Sequence, residues 1–300
     1  MTATDRSARL SGALLVAAGA IGFSGKAVII KLAYRHGVDA LTLLALRMLL
    51  SAPLFAVLGW WAARGADPVA PRDRWAVAFM GFVGYYLASY FDFLGLQYVT
   101  AALERLLLFV NPTFVVLISA ALFGRRVTGR DVIAIASCYA GIFLAFFNDL
   151  HTQPGNVVLG SAWVLLSALL YATYLVGSGR LVGRVGSMRF ASYAGLVSCG
   201  AVLAHFLVAS PDASVILHQP APVYWLSLLM ALASTVLPIV LTSEGIRRMG
   251  ASHASIIGSV GPIATIALGA VFLGEPVTII QIAGAAFVLL GVLAISLARK

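Results

Sequence analysis

Residues 95–141 carry Gly95-Leu96-Gln97-Tyr98, Asn111-Pro112 and Gly124-Arg125-Arg126-Val127-Thr128, and the whole stretch recurs without a gap as residues 245–291. The second copy reads Gly261-Pro262 at the proline and Gly274-Glu275-Pro276-Val277-Thr278 at the end. Only ten of the 47 aligned positions are identical, yet these include Gly124/Gly274 and Pro112/Pro262. The exchange of Arg125 for Glu275 is informative because the cytoplasmic loops of a membrane protein collect Lys and Arg. Two related segments with opposite charge at the same helix end are therefore expected to lie in opposite orientations. An inverted repeat in a membrane points to a transporter.

Composition places the chain in a membrane. Of its 300 residues 61% are hydrophobic and 10% charged, and the mean hydropathy is +0.98. Soluble domains are about half apolar and about a quarter charged. The net charge of +9 is scattered in twos and threes between apolar runs, without the continuous basic stripe that nucleic acid requires. Cys138 and Cys199 each sit inside an apolar stretch and are expected to pack rather than pair. The small residues Ala17-Ala18-Gly19-Ala20 resemble a cleavage site, but the apolar run continues to Tyr34, long enough to span.

A spanning helix needs about 20 mostly apolar residues. Ten segments qualify: 10–34, 40–62, 75–97, 101–123, 131–148, 158–179, 190–209, 222–244, 251–273 and 279–298. With an even number of spans both termini share a side. Fifteen of the twenty basic residues fall in the terminal segments and alternate loops of one face, from Arg6 and Arg9 to Arg299 and Lys300. Both termini are thus predicted cytoplasmic. Arg35, with Lys31 one turn before it, breaks the rule, and Lys31 is near enough to its helix end to be read as snorkelling. The expected architecture is an all-α integral membrane protein of ten transmembrane helices in two inverted five-helix repeats, residues 11–148 and 158–298. An odd number of spans per half forces that inversion.

Pro112 and Pro262 fall mid-helix in the fourth and ninth spans. Each proline deprives the carbonyl four residues earlier, Leu108 or Gly258, of its usual donor. Within a bilayer that is tolerated where protein or a water-filled cavity meets the break. A packing kink is the simpler reading of either alone; a matched pair at the midplane favours a cavity.

These residues resemble the drug/metabolite transporter superfamily, specifically ten-helix carriers built of two EamA domains, from about Ser11 to Ala298. The resemblance is carried by Leu46-Arg47-Met48, by Gly95 through Asn111-Pro112 to Phe123-Gly124-Arg125-Arg126, and by Gly250-Ala251-Ser252 through Gly261-Pro262 to Leu273-Gly274-Glu275-Pro276 with Gln281 and Gly284. It implies a fold far more than a substrate, since similar carriers are associated with amino acids, sugars, nucleotide precursors and drugs. Related four-helix exporters use a carboxylate in the first helix, where this chain has Lys26 and Lys31 and no acid. Their proton chemistry does not transfer.

Charges inside a span are functional suspects by default. Lys26, Arg47, Asp92, Glu104 and Arg105 lie deep in the first half, and a rise of about 1.5 Å per residue places the first four at comparable depths. A shared network is geometrically possible; it would serve either transport or simple neutralisation of buried charge. Tyr85, Ser89 and Asp92 share one helix face, as do Glu104 and Asn111. In the second half Ser252, Ser255 and Ser259 lead to Pro262, while Ser167 and Tyr171 mark the sixth helix and Thr235 and Thr242 the eighth. Such hydroxyls bind substrates but also glue helices together.

The expected function is secondary active transport of a small metabolite, an amino acid or related compound, most simply outward across the plasma (cell inner) membrane. The candidate translocation residues are Lys26, Arg47, Tyr85, Ser89, Asp92, Glu104, Arg105, Asn111, Pro112, Tyr171, Ser255, Ser259 and Pro262. Lys26 or Arg47 would attract an anionic group, and Asp92 and Glu104 are the candidates for proton coupling. No phosphate-cradling loop is present, so ATP is not expected to drive it directly. The five histidines lack metal-ligand spacing; no metal or cofactor is expected, and His253 is the weaker candidate for an inner gate. The expected partners are a small-molecule substrate, the lipid bilayer and protons, in a monomer or weak homodimer. A membrane-embedded enzyme acting on a lipid is the rival reading.

Overall fold

The computed structural model describes residues 3–124, 129–153, 155–249, 257–258 and 260–297. Arg125, Arg126, Ser252, His253, Ser255 and Ser259 lie outside the described residues. Apolar runs of this length become helices because hydrocarbon offers no partner to a free backbone N–H or C=O.

The helices are α1 (Ala3–Tyr34), α2 (Ala40–Ala63), α3 (Pro71–Gly81), α4 (Ala88–Gly95), α5 (Ala101–Leu108), α6 (Asn111–Phe123) and α7 (Gly129–Thr152). They continue as α8 (Val157–Val185), α9 (Ser187–Ala209), α10 (Ala221–Ala231), α11 (Leu237–Met249), α12 (Gly261–Leu268) and α13 (Ile279–Leu297). A π-helical turn, Phe82–Leu87, fuses α3 to α4; another, Leu232–Val236, fuses α10 to α11. Among the described residues seven helices are long and apolar enough to cross a membrane: Leu10–Tyr34, Ala40–Ala63, Pro71–Gly95, Ala101–Phe123, Val157–Gly179, Ser187–Ala209 and Ala221–Thr242. Gly261–Leu273 and Ile279–Gly291 are shorter apolar helices, and α7 is a further helix of 24 residues. The chain is a multi-pass helical membrane protein.

Helix starts follow their caps. Asp39 Oδ1 accepts the N–H groups of Leu41 and Thr42 at 2.9 and 3.0 Å, and Thr100 Oγ1 accepts that of Leu103 at 3.0 Å. Asn156 does the same for Leu159 at 3.0 Å. Each supplies an acceptor to donors that the helix itself leaves unpaired. The third span starts at Pro71, where a proline at the first helical position sacrifices no bond, rather than at residue 75. Likewise α8 continues past residue 179 to Val185.

The two halves repeat each other's local geometry 150 positions apart. The π-helical turns open at Phe82 and Leu232, the proline-containing helices at Asn111 and Gly261, and left-handed Gly124 (φ 64°) matches Gly274 (φ 70°). Packing repeats as well: α1 lies on α11, α10 and α12 as α8 lies on α3, α4 and α6, while α2 pairs with α9 and α7 with α13. Gly95 faces α8, where an added Cβ would meet Val164 Cγ2 at 2.5 Å and Gly160 O at 2.8 Å. Gly245 faces α1 in the same way, meeting Val16 Cγ2 at 2.5 Å and Gly12 O at 2.9 Å. Close backbone approach at a glycine is the usual device for packing helices in lipid.

Candidate functional site

A new helix starts at each proline-containing pair. After α5 the bonds tighten, Phe109 N–H to Leu106 O and Val110 N–H to Leu107 O, both 3.0 Å, before α6 starts at Asn111. The same occurs before α12, with Val260 N–H on Ile257 O at 3.2 Å. Beside the first break lies a cavity of about 430 Å³ reaching both halves of the chain. It is lined by Phe23 and Lys26 of α1, Arg47, Met48 and Phe55 of α2, Gly84, Tyr85, Ala88, Ser89 and Asp92 of the third span, and Arg105, Leu108, Phe109, Asn111 and Pro112 at the break. The second half adds Ser167 and Tyr171 of α8, Gly195 and Ser198 of α9, and Ser234, Thr235 and Ile239 around the second π-helical turn.

Three of the sequence-selected charges meet. Lys26 Nζ lies 2.5 Å from Asp92 Oδ2 and 3.2 Å from Glu104 Oε1, with the two carboxylates 2% and 1% exposed. The contact to Asp92 is a hydrogen bond, whereas that to Glu104 Oε1 is an ion pair without hydrogen-bond geometry. Glu104 itself does not line the cavity; it sits behind Lys26. Asp92 Oδ1 has no hydrogen-bond partner among the described residues. Taking two carboxylates out of water is tolerable here because an ammonium sits between them.

Arg47 occupies a different part of the wall. Its Nε donates to Thr235 Oγ1 at 3.0 Å, and that hydroxyl donates in turn to Met230 O at 2.9 Å across the second π-helical turn. Its guanidinium lies 5.6 Å from the centre of the Phe93 ring, and Nη1 has no hydrogen-bond partner among the described residues. Arg105 also faces the cavity, 5.6 Å from the Phe109 ring centre, with its Nε unpartnered among the described residues. The Arg105 guanidinium occupies the space a Cβ on residue 261 would need, at the position where the first copy has Asn111.

Tyr85 and Tyr171 form an aromatic wall. Tyr174 OH donates to Tyr85 OH at 3.2 Å, and the Tyr171 and Tyr174 rings stack at 5.4 Å. Ser89 is on the lining, and the Asn111 Oδ1 atom is buried without a partner among the described residues. Pro262 is buried off the lining: its neighbour Gly261 accepts Ser24 Oγ at 3.0 Å, tying α12 to α1. The two prolines therefore do not flank the cavity equally, because Ser24 and Arg105 occupy the space beside the second break. Sequence reading did not select Phe23, Met48, Phe55 or Ser198. Phe23, three residues before Lys26, and Phe55, eight after Arg47, had a local signal in sharing a helix face with a selected charge.

A second polar layer lies at the Tyr34 end of α1. Lys31 Nζ donates to Val99 O at 2.6 Å and lies 3.8 Å from Glu275 Oε1. The same oxygen accepts Ala101 N–H at 3.0 Å at the start of α5. Thr100 donates from N and Oγ1 to Asp149 Oδ2 at 2.9 and 2.7 Å, Arg35 Nη2 donates to Leu273 O, and Thr278 Oγ1 donates to Asn148 Oδ1 at 3.0 Å. Lys31 is thus held inside the protein instead of snorkelling. Glu275 does more than mark topology: it holds α1, α5 and the turn after α12 together. Burial pushes the Glu275 carboxyl above the ordinary glutamate range, against the opposing pull of Ala101 N–H and Lys31. At the far ends of the helices Arg184 makes a two-pronged bond to Asp73, 2.6 and 3.1 Å, and Arg248 bonds Ser11 Oγ at 3.0 Å.

A multi-pass bundle of apolar helices, with a largely apolar cavity that holds a few buried charges where its halves meet, is the architecture of a membrane transporter. The chain belongs to the EamA-like transporter family, which it matches over residues 10–147 and 158–297. It is 34% identical over 280 residues, 91% of this chain and 89% of the other, to the uncharacterized transporter YcbK of Bacillus subtilis (strain 168). An uncharacterized transporter of Archaeoglobus fulgidus is 26% identical over 226 residues, covering 75% and 77% of the two chains. One crystal structure shares the fold with a TM-score of 0.64 and 18% identity, covering 96% of this chain and 97% of that one.

Proposed function

We propose that the chain is a secondary active carrier that moves a small metabolite, an amino acid or related compound, out of the cell by alternating access. Its ten spans form two inverted five-helix halves, residues 11–148 and 158–298, in the plasma membrane with both termini cytoplasmic. The 430 Å³ cavity between the halves carries the reading, because it gathers buried charge and the helix break at Pro112 at one place. Midplane sites between repeats, built from discontinuous helices, are how such carriers bind solutes.

In this reading the Lys31–Glu275 layer is the outer gate, closed, and the cavity lies between it and the Asp73–Arg184 contact on the cytoplasmic side. Asp92 and Glu104 are the proton-coupling pair: adding a proton to either leaves Lys26 with one carboxylate partner and frees the other acid. Arg47, Arg105 and the hydroxyls of Tyr85, Ser89 and Tyr171 contact the solute, with Asn111 and Pro112 shaping the break; Ser255, Ser259 and Pro262 contribute the second-half counterpart.

Proteoliposome counterflow against amino acids, organic acids, sugars and nucleosides, with and without a pH gradient, tests this. Exchange of at least one solute is expected, with Asp92→Asn and Glu104→Gln losing the gradient response. No exchange of any solute, or gradient-driven exchange unchanged in both variants, would remove the transport or the coupling role respectively.

A further inference from the structure

Three cations belong to the site, but they are not equally committed. Lys26 is over-matched, with Asp92 at 2.5 Å and Glu104 at 3.2 Å. Arg47 is only 8% exposed, its one hydrogen bond goes to a neutral hydroxyl, and its Nη1 lacks a partner among the described residues. Arg105 faces the same cavity with its Nε likewise unpartnered. A buried donor without an acceptor is costly, and a guanidinium fork matches the two oxygens of a carboxylate.

Lys26, Arg47 and Arg105 oppose Asp92 and Glu104, and the other lining residues are uncharged. One positive charge is left over. A solute of net charge −1 would neutralise the site, whereas a zwitterion leaves the excess in place, even though Asp92 Oδ1 and Asn111 Oδ1 offer acceptors for an ammonium. Net charge buried at membrane depth is disfavoured. The rest of the wall, with Phe23, Phe55, Tyr85 and Tyr171, suits an apolar or aromatic body.

We infer that the site selects a monoanion, a single carboxylate on a compact apolar body, and that Arg47 and Arg105 rather than Lys26 receive the carboxylate. This rests on the cavity being the translocation site, and within the class of amino acids and related compounds it favours the carboxylate that lacks the ammonium.

3-Phenylpropionate, phenylalanine and 3-phenylpropionamide share a skeleton and differ in charge, so calorimetric titration of the full chain in lipid nanodiscs at about pH 7 isolates the charge term. The anion is expected to bind about tenfold more tightly than either comparator, as losing one charge-assisted contact implies. Arg47→Gln and Arg105→Gln should each erase most of that preference, with Arg47→Lys recovering part of it. Equal binding of all three probes, tighter binding of phenylalanine, or no binding of any overturns the inference. Should the arginine variants fail to fold, the three-probe comparison on the unaltered chain still decides. Anion-selective binding without counterflow of 3-phenylpropionate would uphold the inference and remove the transport reading; counterflow of a neutral or zwitterionic solute without anion preference would do the reverse.

Discussion

The guanidinium of Arg105 lies where a side chain on residue 261 would project, so the glycine ahead of Pro262 is set by a charge from the other half of the chain. The relationship links a broken helix in one repeat to the charged wall of the cavity in the other. Replacing Gly261 by Ala forces the guanidinium to move. Because the obstructing atom is the far end of a flexible side chain, the stability cost is expected to fall below the roughly 1–3 kcal/mol of rigid overpacking, and the displaced guanidinium is expected to show as a loss of solute counterflow. Gly258→Ala is the control, because a Cβ there meets nothing within 4 Å among the described residues. Thermal unfolding of the two variants in detergent, with counterflow, checks both parts.

Removing the ammonium between Asp92 and Glu104 leaves two buried carboxylates facing each other. Lys26→Met is therefore expected to destabilise the protein by about 3–5 kcal/mol, the usual penalty for breaking a buried pair. Adding Asp92→Asn to that variant should recover part of the loss. A double variant no more stable than Lys26→Met would show that the ion pairs are not what holds this part of the bundle.

Gly95 and Gly245 make matching approaches to α8 and α1: a Cβ added at either would meet a valine methyl at 2.5 Å and a glycine carbonyl at 2.8 or 2.9 Å. The valine can rotate; the backbone oxygen cannot. Alanine at either position should lower stability by a similar amount, about 1–3 kcal/mol. Unequal effects in a thermal-shift comparison would mean that the two contacts differ in stiffness despite their shared geometry.

Glu275 gives a pH signature. Its folded carboxyl titrates above the ordinary range because burial disfavours the charged form. The folded state therefore holds this proton more tightly than the unfolded state, and stability falls as pH rises from the ordinary glutamate value through the folded one. Glu275→Gln keeps an acceptor for Ala101 N–H and removes the titration. Between about pH 4 and pH 7 the variant's melting temperature should decline less with rising pH than that of the unaltered chain. The loss of the Lys31 contact should also ease opening at this end, read as faster labelling of a cysteine placed at Val99.

Ten spans with cytoplasmic termini require that tags on Met1 and Lys300 both resist protease added outside intact cells. Cleavage of the C-terminal tag alone would contradict the even number of spans.

Class and repeat were legible because they are written locally. Apolar length, the loop bias of Arg and the recurrence of Gly124 and Pro112 at Gly274 and Pro262 need no knowledge of neighbours. The depths of Lys26, Asp92 and Glu104 likewise allowed their meeting, since rise per residue is a property of one helix. Which charge would pair with which was not legible. Lys26 reaches Asp92 across 66 residues of sequence and Arg47 reaches Thr235 across 188, and both choices depend on how helices rotate about their axes when they pack. That rotation also drew Lys31 inward to Val99 and Glu275, placed Pro112 on the cavity while burying Pro262 away from it, and left Arg47 and Arg105 with donors to spare. The sequence by itself determined a helical membrane carrier with a doubled plan, because hydrocarbon admits few ways to satisfy a backbone. Only the tertiary structure decided which buried charges hold one another and which face the cavity, because that division depends on distances between helices that no single segment encodes.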